Sequence, residues 1–163
     1  MRRLLTTIVA AGAALVIGAA AHAQQPAPEY GMPINQAAAM KVAEAAQKKA
    51  VEIHQRVIIT IVGPAGELIY FTRMDGSQNG SIAISQQKAR TAALFRRPSA
   101  VFEAALAKGG PALTILTLPD VIASGGGIPL MEGGKIVGAI GVSGSPNGTI
   151  DAQAAQAGAD AMK

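Results

Sequence analysis

The sequence predicts an α+β fold, an antiparallel sheet with helices packed on it, on three observations. Val57 to Val62 is β-branched almost throughout, and a Gly-Pro-Ala-Gly turn returns it into Glu67 to Arg73. A second strand pair, Ile128 to Glu132 and Lys135 to Val142, closes around Gly133-Gly134. Between and around these hairpins lie alanine-rich runs too long to be strands. Hairpins separated by helices pair their own strands, so helices must cover the sheet faces.

Taken in order, the chain opens on Met1-Arg2-Arg3, an apolar run from Leu4 to Ala21, and Ala21-His22-Ala23. A basic start, an apolar stretch and a small-residue site form the pattern of a secretory signal peptide over residues 1–23. Cleavage is expected before Gln24, which places the protein in the periplasm or outside the cell and leaves no membrane segment behind. Arg2 and Arg3 go with that segment, so Lys+Arg falls from 14 to 12 against 10 acids and the net charge to +2. Residues 24–34 carry Pro26, Pro28, Gly31 and Pro33 and read as an extended arm. A single domain is expected over 35–163, a normal size for one.

Asn35 is suited to cap a helix from Gln36 to about His54, with Lys41, Glu44, Lys48, Lys49 and Glu52 on its polar face. The strand 57–62 reads as buried on both faces, since it lacks polar alternation. A second helix runs from Ser81 to Phe95 until Pro98 interrupts, and Ser99 is expected to cap a short helix from Ala100 to Lys108. Ala112 to Leu118, bounded by Pro111 and Pro119, fits helix and strand equally. Pro129 places its strand at an edge or beside a bulge, and Gly138 and Gly141 mark a close approach on the last strand. Thr149 is expected to cap the final helix, Ile150 to Met162, with Asp151 in a first turn that favours an acid.

Composition excludes several functions. Cys 0 removes disulfides, thiolate nucleophiles and cysteine metal sites. Nucleic acid is not an expected partner: the longest basic run is Arg96-Arg97, and the aromatics are Tyr30, Tyr70, Phe71, Phe95 and Phe102. The glycine-rich stretches 124–127 and 141–148 lack the phosphate-loop and dinucleotide spacings. A core of Ala, Val, Ile, Leu and Met buries little area per residue, which favours a homo-oligomer.

The chemistry-bearing residues gather where the second strand runs into the second helix. Arg73, Met74, Asp75, Gly76 and Ser77 form the corner, and Lys88 and Thr91 follow on the helix. Such loops on a rigid scaffold commonly bind ligands. Arg73 and Asp75 fit a structural ion pair or turn cap equally well, and Lys88 has Ile84 and Ala92 four residues to either side. A lysine on such an apolar face needs an acid, and Asp75 or a neighbouring subunit's carboxylate is the expected partner. His54, the one histidine outside residues 1–23, is either a solvent-facing residue at a helix end or a metal ligand.

Four segments in order resemble one family: Phe71-Thr72-Arg73-Met74-Asp75-Gly76, Lys88-Ala89-Arg90-Thr91-Ala92-Ala93, Gly126-Gly127-Ile128-Pro129-Leu130, and Val137-Gly138-Ala139-Ile140-Gly141-Val142-Ser143-Gly144. They are similar to the GlcG/HbpS-like family, also met as the C-terminal domain of PduO-type proteins. The likeness spans nearly all of Asn35 to Lys163. It implies a profilin-like antiparallel sheet with helices on both faces (α/β/α) and a compact homo-oligomer. It also implies haem or a related tetrapyrrole as ligand, with haem degradation ascribed to some members. The chain departs from the family at Gly63-Pro64, where an acid is usual, and at Ser143-Gly144-Ser145, where two glycines are common.

The leading expectation is therefore an exported, oligomeric small-molecule-binding protein that takes haem. Arg73 or Lys88 would meet a propionate, and His54 or, less directly, Met74 the iron. An alternative is an enzyme acting on a small carboxylate or hydroxy acid, with Arg73 as anchor and Asp75, Lys88 or Thr91 moving a proton. A third is a structural or partner-binding oligomer.

Overall fold

The computed structural model describes residues 26–163; the expected signal peptide and its cleavage site lie outside the described residues. The elements are α1 (Gln36–Glu52), β1 (Ile58–Val62), β2 (Leu68–Arg73), α2 (Ser81–Leu94), α3 (Ala100–Leu106), a 3₁₀ helix (Gly110–Thr117), β3 (Gly127–Glu132), β4 (Lys135–Ser143) and α4 (Gly148–Asp160). The sheet is antiparallel throughout, in the order β2-β1-β4-β3. The two predicted hairpins are thus joined edge to edge by β1 and β4.

Helices lie on both faces. Ile59, Ile61, Ile140 and Val142 face α1 and α4 and pack with Val42, Ala46, Ala50, Ala154 and Ala155. Thr60, Val62 and Ala139 point the other way, toward α2, where Ala89, Ala92 and Ala93 meet them. Strand β1 is buried at all five positions, as its β-branched run predicts. Small residues let the layers close up. A Cβ on Gly141 would collide with the Ser85 carbonyl and lie 2.5 Å from the Ala89 nitrogen, so α2 sits directly on β4 there.

Pro129 does lie on an edge strand, with a bulge following between Leu130 and Met131. The arm is ordered by pairing: Ile136 N–H donates to the Glu29 carbonyl, and Gly31 and Ile34 N–H donate to those of Ile136 and Val137. It continues the line of β1 beside β4.

Several local expectations are corrected. Asn147, not Thr149, caps α4, its Oδ1 accepting from the Ile150 N–H at 3.1 Å. Ser99 does not cap α3 with its side chain; its Oγ donates to the Ser124 carbonyl and accepts from the Gly127 N–H, tying that helix to β3. The ambiguous run 112–118 is neither α-helix nor strand: Ala112 to Thr117 belong to the 3₁₀ helix and Leu118 ends it with extended backbone, and none of these residues is buried. Prolines at both ends deny it ladder bonds and a long helix.

Candidate functional site

Strands β1, β2 and β4 reach one end of the sheet beside the C-terminus of α1. Helix α1 ends at Glu52, and His54 follows with φ 56°, in the left-handed region. The His54 N–H donates to the Val51 carbonyl and the Gln55 N–H to that of Ala50, a closing pattern that favours glycine at position 54. The chain places an imidazole there instead. An exposed side chain in that conformation carries a backbone cost of about 1–2 kcal/mol and is a reason to look at what it lines.

It lines a cavity of about 280 Å³ with Val51, Gln55, Arg56 and Met74. Met74 belongs to the corner named from the sequence, and its N–H donates to the Val57 carbonyl at 3.1 Å. The fold thus brings His54 and Met74, twenty residues apart, to one wall. Arg56 spans the gap: its guanidinium donates to the Asp75 carbonyl at 3.0 Å and its Cδ runs beside Gly76. Arg56, Gln55 and Val51 were not singled out in the sequence. The signal available for Arg56 was a charged residue immediately before a buried strand.

The rest of the corner is arranged differently from expectation. Arg73 is not paired with Asp75. Its Nε and Nη2 donate to the Oγ and carbonyl of Ser77, and Nη2 also donates to Asn79 Oδ1 at 2.8 Å. Ser77 is buried and donates to the Met74 carbonyl at 2.7 Å, so Arg73 and Ser77 stiffen the turn. Gly76, with φ 75°, permits it. The carboxylate of Asp75 is exposed.

Lys88 requires a correction. It is buried, as its apolar neighbours predict, but its partner is neither Asp75 nor another subunit. Nζ donates to Asp151 Oδ2 at 2.7 Å, with the two side chains 2% and 3% exposed. Asp151 also accepts from the Ser145 N–H. These residues come from helices on opposite faces and meet at Gly126, where a Cβ would lie 2.9 Å from Asp151 Cβ and 3.2 Å from Lys88 Nζ. The absence of a side chain at Gly126 opens the passage. Thr91 is likewise buried and engaged, donating to the Asp120 carbonyl and accepting from the Ile122 N–H. Neither Lys88 nor Thr91 lines the His54 cavity.

The site's charge balance is cationic, with Arg56 and Arg73 around one exposed acid, Asp75. Neither guanidinium forms an ion pair among the described residues. Asp160, away from this cavity on α4, is held below the usual carboxylate range, first by the hydrogen bond from Lys163 and then by that from Gln156.

Comparison with known proteins places the chain and its fold among relatives. The family model described as haem degrading protein HbpS-like matches residues 34–160. Protein GlcG of Escherichia coli K12 is 37% identical over 110 residues, which cover 68% of this chain and 81% of GlcG. The crystal structure of Klebsiella pneumoniae protein ORFY superposes with a TM-score of 0.76 at 28% identity, covering 85% of this chain and 97% of that one. The crystal structure of HbpS superposes with a TM-score of 0.73 at 32% identity, covering 80% and 90%.

Proposed function

Since the chain belongs to the haem degrading HbpS-like family, we propose that it is an exported, oligomeric small-molecule-binding protein whose ligand is haem or a related tetrapyrrole. The observation that carries this reading is the convergence of His54, Met74 and Arg56 on one cavity. Imidazole nitrogen and thioether sulfur are two of the side-chain ligands haem iron takes. A guanidinium suits a propionate, forming charge-assisted bonds to its two oxygens. Haem, when bound, would supply the iron chemistry. The protein's own residues would orient it, with His54 and Met74 toward the metal and Arg56 toward a carboxylate. Arg73 and Ser77 hold the turn that carries Met74.

At about 280 Å³ the cavity is at the low end for ligand pockets and suits one edge of a flat macrocycle. The same volume favours a second reading, a small carboxylate or hydroxy acid anchored on Arg56. One titration separates them. Haemin added to the purified protein should give a saturable Soret shift at micromolar protein, weakened by His54→Ala or Arg56→Ala. A Soret band unchanged from haemin in buffer would overturn the haem reading. Saturable binding of a small hydroxy acid, lost in Arg56→Ala, would then favour the second. Export to the periplasm or beyond rests on residues 1–23 and is tested by the N-terminal sequence of the protein recovered from cells.

A further inference from the structure

The chain contains two Asn-Gly pairs, Asn79-Gly80 in the loop before α2 and Asn147-Gly148 at the start of α4. An asparagine followed by glycine can react with its own backbone, because glycine has no Cβ to keep its nitrogen away from the neighbouring side-chain amide. The fold treats the two pairs differently.

Asn147 is restrained. Its Oδ1 accepts from the Ile150 N–H and caps α4. Gly148 is buried against Gly125, where an added Cβ would stand 2.5 Å from the Gly125 nitrogen. Turning the Asn147 side chain onto the Gly148 nitrogen would give up the cap and crowd Gly125. Asn79 and Gly80 are both exposed, and nothing lies within 4 Å of a Cβ built on Gly80. Among the described residues, neither Asn79 Nδ2 nor the Gly80 N–H makes a hydrogen bond. The Asn79 side chain is engaged at its carbonyl instead: Arg73 Nη2 donates to Oδ1 at 2.8 Å. Ser77 holds that guanidinium in place, its Oγ and carbonyl accepting from Nε and Nη2. A cationic donor on Oδ1 makes Cγ more electrophilic and stabilises the negative charge that develops on the oxygen when a nucleophile adds.

We propose that Asn79-Gly80 is a self-modification site, at which the Arg73 guanidinium promotes conversion of Asn79 to aspartate and isoaspartate. The Gly80 nitrogen gives its proton to water and forms a bond to Asn79 Cγ. The Cγ–Nδ2 bond breaks, and Nδ2 takes a proton from water and leaves as ammonia. One water then opens the cyclic imide. Addition at Cγ breaks its bond to the Gly80 nitrogen and gives aspartate; addition at the Asn79 main-chain carbonyl gives isoaspartate. Water is consumed, ammonia is released, and nothing is oxidised or reduced. Aspartate at this position turns the Arg73 hydrogen bond into an ion pair and lowers the positive charge of the corner. Isoaspartate lengthens the backbone just before α2. The proposal stands apart from the ligand reading above.

Ageing the purified protein in mildly alkaline buffer, followed by tryptic peptide mass spectrometry, tests it. Cleavage after Arg73, Lys88 and Lys135 puts Asn79 and Asn147 on different peptides. The expected result is an amide-to-acid mass shift at Asn79, in separate aspartate and isoaspartate peaks. It should form about tenfold or more faster than at Asn147, whose cap must open first. In urea, where both pairs are unfolded, the two rates should converge. Equal rates in the native protein overturn the proposal. So does a difference that survives in urea, since the local sequence and not the fold would then select Asn79. Slower conversion of Asn79 in the native protein than in urea overturns the part given to Arg73. Gly80→Ala has open space and an unstrained φ of −58°, so it should fold as wild type and suppress the shift at Asn79. A shift undiminished in that variant overturns the Gly80 nitrogen as nucleophile.

Discussion

His54 and Lys88 are each held in a costly state, and they are costly in opposite ways. His54 is exposed with a left-handed backbone at the position after a helix where glycine is cheapest. His54→Gly should therefore leave the protein as stable or stabilise it by about 1 kcal/mol in a urea melt. The same variant should weaken haemin binding in the Soret titration. A loss of stability with binding intact would make position 54 a folding residue instead. Lys88 is the reverse case, a buried ammonium whose one carboxylate comes from across the sheet. Lys88→Ala strands Asp151 and should cost about 3–5 kcal/mol. Replacing both, Lys88→Met with Asp151→Leu, should recover most of that loss, because no unpaired charge remains. If Lys88→Ala melts like wild type but no longer binds ligand, Lys88 acts at a site and not as a strut.

Helix α2 is seated on β4 through absence of side chains. Gly141→Ala places a methyl against backbone atoms of Ser85 and Ala89, which cannot swing aside as a side chain would. The expected cost is about 1–3 kcal/mol, seen as a lower urea midpoint with an unchanged slope. Gly134→Ala is the control. Its φ is 77° but nothing lies within 4 Å, so only the backbone penalty of about 1 kcal/mol applies. The 3₁₀ helix gives the opposite expectation. Leu116 is 69% exposed and the segment buries nothing. Leu116→Ser should change the stability of the single chain by no more than about 0.5 kcal/mol.

The whole molecule is a three-layer arrangement with a core dominated by alanine, valine and isoleucine. Each such residue removes little apolar area, so close approach between layers, not bulk, holds them. The Lys88–Asp151 pair is the polar counterpart of that approach, joining α2 to α4 through the opening at Gly126. A ligand held by the native state alone adds to this stability. Haemin at about a hundred times its dissociation constant should raise the unfolding free energy by about 2.7 kcal/mol, visible as a higher melting temperature. An unchanged melting temperature at that excess would argue against specific binding to the folded protein.

Periodicity and turn chemistry are local properties, and what depends on them was legible in the amino-acid sequence. The β-branched run 58–62, the glycine turns and the alanine-rich helices were placed to within a few residues, and the antiparallel α+β class followed from their order. The corner at Arg73 to Ser77 and the burial of Lys88 were readable for the same reason: a charge on an apolar helix face, or a turn after a strand, shows within a few positions. Partners were not. Lys88 finds Asp151, 63 residues away, because two helices on opposite faces meet where Gly126 has no side chain. His54 and Met74 share a wall because β1 and β2 fold back beside the end of α1. Which acid meets which base, and which donors line one cavity, depends on distances that span the whole chain, and only the packed tertiary structure decides those.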